Sequence, residues 1–488
     1  MKKSYSLSRK VVAAACSLSL VAMMAPSMAL ATPTSATDVA DSTVKISGLT
    51  AGDTVSAYLI ADADIDGTNN LSYTFATGVP EAYNTEGKLA AITSDGNTFV
   101  QGSDAQNAAA AIANGIIGNG AAATATATGT EATLTLGSGY YLVRVSSTSG
   151  ETKVYQNMLV DVSPVVENGV YVPKTFADAL NVKSTDVTIT KTVGNGDKST
   201  DAYKIGDMVP FTIETAVPNY PADAANATFE IADTPTAGLE IDTTSITVEG
   251  ATDADYTLNA TATGYTVVFN KDFILANPAA AIKVTYQAKL TSAAFSTAAG
   301  TTGNTANVKF NPNPYDNTTA TPEDSTTVQT YGFVFPKITV NTDKTELPLE
   351  GAVFQLFDAN GNAIVDENGN DITSTSKIVN GVAYVYFEDL AAGDYIAKEI
   401  KVPAGYLKAP DVNFSLSAAT CTADNPATTD IVENNYLVST DKVVDPKVYV
   451  LPATGGMGTM AITAAGLVLV AGAALLIVRN RRKNQSVS

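Results

Sequence analysis

Apolar and polar residues alternate with a period of two along most of this 488-residue chain. Clear examples are the runs ATLTLGSGYYLVRV, DVTITKTV, ATGYTVVFN and GVAYVYFEDL. Successive side chains of a β-strand point to opposite faces, so this alternation predicts strands that bury one face. Because Gly and Pro recur between the runs, we predict an all-β chain of sandwich type.

The two ends of the chain carry signals that are separate from the folded part. Residues 1–31 have a basic start, an apolar stretch and an Ala-Leu-Ala cleavage site at 29–31, which together predict a secretory signal peptide. Residues 457–478 contain no charge and are long enough to span a bilayer, and a basic tail follows them. The sequence therefore predicts that the body of the protein lies outside the cell.

The motif LPATG stands immediately before this apolar span. In this order, at the end of a secreted chain, it resembles the sorting signal of Gram-positive surface proteins. The resemblance implies that the transpeptidase sortase cuts after the Thr, holds the Thr carbonyl as a thioester and passes it to the cell wall or to another protein. The Pro keeps the segment extended, as a protease-like groove requires. The five residues are Leu451, Pro452, Ala453, Thr454 and Gly455.

Composition excludes most enzyme classes. The chain has no His and no Trp, and Cys421 is the only Cys that remains after signal removal. A disulfide framework, a His-based triad and a Cys/His zinc site are therefore ruled out, and we expect no cofactor and no enzymatic activity on other molecules. Without its two ends the chain has 21 basic against 49 acidic residues, a net charge near −28, which argues against nucleic acid as a partner.

One acidic motif invites comparison with a calcium site. The run DADIDG, with Asp62, Asp64 and Asp66, matches the start of a calcium-binding loop. The twelfth position is Tyr73 where such loops have Glu, so the bidentate ligand is missing. A solvated acidic turn without metal is the prediction, with calcium as the alternative.

Turn-rich breaks divide the exported part into three domains. We predict domains at residues 32–172, 186–330 and 331–437, with linkers at 173–185 and 438–450 and a sorting signal at 451–488. One helix is expected in the first domain, over SDAQNAAAAIANG, with Ser103 or Asp104 as N-cap and Gly115 just past its end.

A lysine falls on the core-facing side of a strand in the second domain. In VTITKTV, Lys191 shares its face with Val187, Ile189 and Val193. Strand parity also places Asp233 and Asn304 among core residues. A buried lone ammonium is costly, so the choice lies between an edge strand whose Lys reaches solvent and a specific buried cluster.

The third domain repeats the pattern. In FVFPKITV, Lys337 shares its face with Phe333 and Phe335, while parity places Glu399 and Asn434 inward on later strands. Burial lowers the pKa of a Lys and raises that of a carboxylic acid. A neutral amine can then attack an Asn amide that the acid polarises, which forms an isopeptide bond and releases ammonia.

Two motifs of the third domain, LEGAVFQLFDANG and GDYIAKEIKVPAGY, resemble the pilin and collagen-adhesin B-type domains of Gram-positive surface proteins. The resemblance implies three tandem immunoglobulin-like, collagen-adhesin-type β-sandwiches. It also implies isopeptide bonds in the second and third domains, with Asp233 and Glu399 as the assisting acids. The bonds would join Lys191 to Asn304 and Lys337 to Asn434; the neighbours Asn307 and Asn435 are rejected on strand parity alone.

The segment VYVPKTF follows the first domain and partly resembles the motif whose Lys joins shaft pilins together. The resemblance implies a pilus shaft subunit, polymerised head to tail when sortase transfers Thr454 to Lys174 of an identical copy. Lys183 is the rival acceptor. Minor pilins, peptidoglycan and host receptors are further expected partners, and the alternative function is a monomeric wall-anchored adhesin.

Overall fold

The computed structural model describes residues 39–66, 70–95, 102–147, 151–294, 301–428 and 435–448. The predicted signal peptide, the LPATG motif, the apolar span 457–478 and Asn434 lie outside these ranges. None of the helices within them has the length and apolar character to cross a membrane. The described chain forms three β-sandwich domains in a row, which confirms the predicted all-β class.

The first domain packs two sheets face to face and adds a helical layer. Strands β1, β5 and β11 make one sheet, and β3, β2, β6 and β8 make the other, with β4 also paired to β2. The core between the sheets contains alternate residues of β1 and β5. The elements are β1 (Ser42–Ser47), β2 (Thr54–Ile65), β3 (Leu71–Phe75), α1 (Glu86–Asp95), α2 (Asp104–Ile116), β4 (Ala123–Thr126), β5 (Glu131–Leu136), β6 (Gly139–Ser146), β7 (Lys153–Tyr155), β8 (Met158–Asp161), β9 (Val165–Glu167), β10 (Val170–Val172), β11 (Leu180–Asn181) and β12 (Ser184–Asp186).

The helices cover the outer face of the second of these sheets. As predicted, α2 begins after Ser103, whose hydroxyl accepts a hydrogen bond of 3.1 Å from the Gln106 amide and caps the helix. Its Ile112 and Ile116 pack on Leu142 of β6. Strand β6 is consequently buried on both faces, which explains its nearly continuous apolar run. The helix α1 was not predicted.

The second domain is a larger sandwich. One sheet has the order β13-β15-β21-β17, with β18 also paired to β21, and the other has the order β14-β23-β22-β16-β20-β19. Alternate side chains of β21 and β22 fill the core, as the period-two pattern predicts. The elements are β13 (Ile189–Val193), β14 (Ser199–Thr200), β15 (Met208–Ala216), β16 (Phe229–Pro235), β17 (Leu239–Ile241), β18 (Thr247–Glu249), β19 (Tyr256–Thr261), β20 (Gly264–Phe269), α3 (Lys271–Ala276), β21 (Ala281–Leu290), β22 (Thr301–Phe310) and β23 (Glu323–Gln329).

The third domain is centred on a long strand, β24, that pairs with four others. Strands β25, β29, β32 and β33 pair with β24, and β28 extends the sheet beyond β29. The facing sheet has the order β27-β26-β30-β31. The elements are β24 (Tyr331–Val340), β25 (Glu346–Pro348), β26 (Val353–Asp358), β27 (Thr373–Thr375), β28 (Lys377–Val379), β29 (Val382–Leu390), β30 (Gly393–Lys401), β31 (Val412–Leu416), β32 (Tyr436–Val438) and β33 (Val443–Pro446).

Both predicted linkers contain short strands that belong to the neighbouring domains. Within 173–185, β11 pairs with β1 in parallel and the start of β12 pairs with β7, so this segment is part of the first domain. Within 438–450, β33 pairs in parallel with β24 and completes the third domain. The two linker predictions are therefore wrong, because strands of two to four residues are too short to show a periodicity.

A buried polar cluster joins the first two domains. Arg144 of β6 forms an ion pair with Asp223 of the second domain, and its guanidinium lies 3.3 Å from the ring centroid of Tyr315. Asn157 donates a hydrogen bond of 2.7 Å to Asp223 and accepts one of 3.0 Å from the Tyr315 hydroxyl. A buried, mutually bonded set of this kind fixes the angle between the two domains.

The second and third domains are also in direct contact. Asp201 accepts a side-chain hydrogen bond of 3.0 Å from Tyr331 and a backbone bond of 2.7 Å from Ala392. Lys289 of β21 forms an ion pair of 3.6 Å with Glu367. The three sandwiches therefore make a continuous body across both junctions.

We predict that Asp223→Ala weakens the docking of the first domain. The substitution leaves the Arg144 guanidinium buried without its counter-ion, which typically costs about 3–5 kcal/mol. Urea denaturation of the exported chain measures the loss. The matched control is Glu230→Ala, which removes a partly exposed pair with Lys309 and should cost at most about 1 kcal/mol. Equal denaturation midpoints for the two variants would contradict the role given to Arg144.

Candidate functional site

The core of the second domain holds a polar cluster drawn from both sheets. Lys191 lies on β13 and Tyr286 on β21 of one sheet, while Asp233 on β16 and Asn304 on β22 belong to the other. All four side chains are buried. The predicted residues of this domain are thus brought together. Asn307 lies one residue out of phase with Asn304, on the half-exposed face of β22.

The Tyr286 hydroxyl is the centre of this cluster. It accepts hydrogen bonds of 2.7 Å from Lys191 Nζ and from Asn304 Nδ2, and it donates one of 2.9 Å to Asp233 Oδ1. Lys191 Nζ also bonds to Asp233 Oδ2. Because amine and amide nitrogens share one hydroxyl, at most about twice 2.7 Å separates them. The fold itself therefore brings the amine, the amide and the acid together in one hydrogen-bonded cluster.

Burial dominates the electrostatics of this cluster. It lowers the pKa of the Lys191 amine from its ordinary value, although the neighbouring Asp233 acts in the opposite direction. Burial also raises the pKa of the Asp233 carboxyl, against the lowering effect of Lys191. Both shifts favour the neutral amine and the protonated acid, which are the forms needed for attack on an amide.

A second cluster lies in the third domain, with a different electrophile. Lys337 of β24 is fully buried, and its Nζ lies 2.5 Å from Oδ1 of Asp445, which β33 places on the same face. Glu399 of β30 is buried beside them, with its Oε2 accepting a hydrogen bond of 2.8 Å from the Ala409 amide. The residue that faces the amine is a carboxyl where the sequence predicts an amide.

The carboxyl of Asp445 is therefore an alternative to the predicted acceptor, Asn434. Asn434 lies outside the described residues. Its neighbour Asn435 lies beside the first residues of β24, and its Nδ2 donates a hydrogen bond of 3.3 Å to the Thr330 carbonyl. The strand β32 next to it pairs Tyr436 with Gly332, five residues before Lys337. That offset corresponds to about 16 Å along a strand, beyond the reach of the amine.

Burial also shifts the pKa values in the third domain. It lowers the pKa of the Lys337 amine, against the influence of Asp445. It raises the pKa of the Glu399 carboxyl, and the adjacent Asp445 raises it further. Glu399 is therefore suited to hold a proton beside the amine and the second carboxyl.

The predicted acceptor lysine lies at the boundary of the first and second domains. Lys174 follows β10, and its Nζ forms an ion pair of 2.8 Å with Asp161 at the end of β8. Both side chains are partly exposed, so the amine is oriented and still accessible. The rival acceptor, Lys183, follows β11 in the chain and is exposed.

The acidic run that resembles a calcium loop lies partly on a strand, since Asp62 and Asp64 are exposed residues of β2.

Sequence reasoning missed two members of these clusters. Tyr286 stands in phase with the buried Ile282 and Val284 of β21, so strand parity was sufficient to find it. Asp445 shares parity with the buried Val443, but β33 is only four residues long. The signal for Asp445 was present and too short to read.

Two segments of the chain match known families. Residues 337–430 match the SpaA family of prealbumin-like fold domains, and residues 444–485 match the LPXTG cell wall anchor motif. The anchor and the sandwich fold together define a cell-wall-anchored surface protein of Gram-positive bacteria, with a prealbumin-like domain next to its anchor.

The chain is also homologous to a particular streptococcal protein. It is 27% identical over 285 residues to the trypsin-resistant surface T6 protein of Streptococcus pyogenes serotype M6, which covers 53% of this chain and 50% of that protein. It thus spans about half the length of this curated relative. Its fold is similar to that of the T6 backbone pilin of the same serotype, with 19% identity, a TM-score of 0.63 and coverage of 85% of this chain and 100% of the other. The major pilin SpaD of Corynebacterium diphtheriae has a TM-score of 0.50 at 16% identity, with 86% and 100% coverage.

We predict that the Lys191 amine titrates below its ordinary pKa in Asn304→Ala, where it has no amide to react with. Nitrogen NMR of labelled lysine as a function of pH measures this value. Adding Asp233→Asn should lower the pKa of Lys191 further, because the carboxyl of Asp233 is the group that raises it. A Lys191 pKa at or above the ordinary value would show that burial does not control the amine.

Proposed function

We propose that this protein is the shaft subunit of a covalent surface pilus. In this proposal sortase cuts after Thr454 and joins its carbonyl to Lys174 of the next identical copy. The finished polymer is then transferred to peptidoglycan, with minor pilins as additional components. The observation that carries the proposal is Lys174, an oriented and partly exposed amine at the boundary of the first and second domains, in a chain whose residues 444–485 match a cell wall anchor motif.

Two further facts support a shaft over a single anchored copy. The T6 backbone pilin of Streptococcus pyogenes has the same overall fold. A bond from the C-terminal Thr454 of one copy to Lys174 of the next joins two different surfaces, so it is a heterologous contact that need not close on itself, and such contacts generate fibres.

We propose that an isopeptide bond forms in the second domain without an enzyme. Lys191 Nζ, as a neutral amine, attacks Cγ of Asn304 while the protonated Asp233 polarises the amide oxygen. The new C–N bond replaces the bond to the amide nitrogen, which takes up a proton from the former amine and leaves as ammonia. The hydroxyl of Tyr286 holds both nitrogens in place during the reaction.

We propose a Lys–Asp bond in the third domain. Lys337 Nζ, as a neutral amine, attacks Cγ of the Asp445 carboxyl in its –COOH form, and Glu399 supplies the proton that converts the departing hydroxyl into water. The amine proton restores Glu399 to its acid form, so the step needs no other reactant. The two cross-links therefore release different molecules, ammonia in the second domain and water in the third.

We predict that the mass of the exported chain, residues 32–450, falls short of its sequence mass by about 35 Da, the sum of one ammonia and one water lost in these acyl transfers. Intact-mass spectrometry resolves this from the value of about 34 Da expected for two Lys–Asn bonds. The variant Asp445→Asn should change the mass deficit from about 35 Da to about 34 Da, because its third domain would lose ammonia where the wild type loses water. A full-mass protein would refute both cross-links.

Matched variants identify the acceptor in the third domain. Asp445→Ala should leave a deficit of about 17 Da, since only the ammonia of the second domain is lost. Asn434→Ala and Asn435→Ala should retain the full deficit. If Asn434→Ala removes the loss in the third domain and Asp445→Ala does not, the acceptor is Asn434 and the Lys–Asp bond is wrong.

We predict that Lys174→Ala abolishes the ladder of high-mass polymers seen on a denaturing gel of cell-wall extracts, because it removes the nucleophile. The matched control, Lys183→Ala, should leave the ladder intact. A ladder that disappears only in Lys183→Ala would transfer the acceptor role to Lys183. If the parent strain forms no ladder, the protein functions as a monomeric wall-anchored adhesin.

A further inference from the structure

A two-stranded hairpin beside Lys174 stands apart from the sheets of the first domain. Its strands β9 and β10 pair with each other, and within the described ranges neither pairs with a third strand. The turn between them has Asn168 and Gly169 at φ 50° and 81°, as a tight two-residue hairpin turn requires. Both outer edges of the hairpin therefore present backbone groups that can accept another strand.

The side chains of this hairpin are apolar and exposed. Val170 is 63% exposed and Val166 is 59% exposed, the highest values among the large apolar side chains of the described residues. Val165, opposite Val172 in the pairing register, is also exposed. An open strand edge that carries exposed valines is an aggregation hazard unless a partner covers it.

The C-terminal segment of the chain has the composition of a missing strand. The described chain ends at Val448, whose amide donates a hydrogen bond of 2.8 Å to the Gly405 carbonyl. Residues 448–451 read V-Y-V-L, β-branched and aromatic like the V-Y-V of β10. Thr454 is the sixth residue after Val448, which corresponds to a reach of about 20 Å when extended.

We propose that residues 448–451 of one copy add as a third strand to the β9–β10 hairpin of the next copy. The proposal rests on the proposed Thr454–Lys174 linkage, which brings this segment to the hairpin because Lys174 lies two residues after β10. The linkage also fixes the direction of the added strand. Residues 448–451 lead toward Thr454, and β10 leads toward Lys174, to which Thr454 is joined. The added strand is therefore parallel to β10 and antiparallel to β9.

This contact would serve two purposes in the polymer. Backbone pairing and burial of the valines would stiffen the joint, which otherwise consists of one flexible lysine side chain and an extended segment. The same pairing would present Thr454 to Lys174 before the covalent bond forms, because the strand ends beside the amine.

Hydrogen exchange measured by mass spectrometry tests the proposal on the whole protein. Purified wild-type polymer is compared with the monomer made by Lys174→Ala. We expect the backbone amides of residues 165–172 and 448–451 to exchange at least about tenfold more slowly in the polymer, because both become part of a sheet. The edge strand β19 of the second domain serves as the internal control and should not change.

The variant Val170→Asp extends the test. A polymer of this variant should lose the protection at both segments, since a charge on β10 opposes burial, while an unchanged mass deficit verifies that the domains have folded. Wild-type polymer without protection would overturn the inference and leave the shaft function intact. Protection of the hairpin alone would assign it to a different partner and also overturn the inference. Absence of any polymer would overturn both.

Discussion

The contact on which the rest of the structure depends is a lysine amine buried against a carboxyl in each of two sandwich cores. An unpaired ammonium in such a core would cost several kcal/mol, so each amine must be neutral, paired or consumed. The surrounding residues favour its consumption. Lys191 lies beside an acid and an amide, and Lys337 lies beside two carboxyls. By analogy with disulfides, closing a loop of this length adds about 4–5 kcal/mol of stability.

The positions of the two proposed cross-links match the line of force in the proposed polymer. Tension enters at Lys174 and leaves at Thr454, so it passes through the last strands of the first domain, β11 and β12, and then through the second and third domains, while residues before Lys174 carry none of it. In the second domain it would reach Lys191 and cross to Asn304, and in the third it would cross from Lys337 to Asp445. The first domain has no buried lysine among its described residues, as expected for a domain most of which lies outside this path.

Long strands could be read from the sequence, and short ones could not. Parity over β13, β16 and β22 was sufficient to place Lys191, Asp233 and Asn304 in one core, because each strand has five or more residues with a clear apolar face. The four-residue β33 gave no such signal, so parity did not place Asp445 beside Lys337. Strand β33 pairs with β24 only after another short strand, β32, has paired with the same strand, and no local sequence pattern indicates this arrangement. The helix α1 was missed for a similar reason, since Leu89 is its one fully buried large side chain.

Single-molecule force spectroscopy tests the central claim most directly, with the chain held at residues 174 and 450. We expect the wild-type chain to show no unfolding step from either cross-linked domain. Asn304→Ala should add a step of about 400 Å as residues 191–304 extend, and Asp445→Ala a similar step for residues 337–445. A wild-type chain that releases either of these lengths would show that the domain lacks its covalent bond.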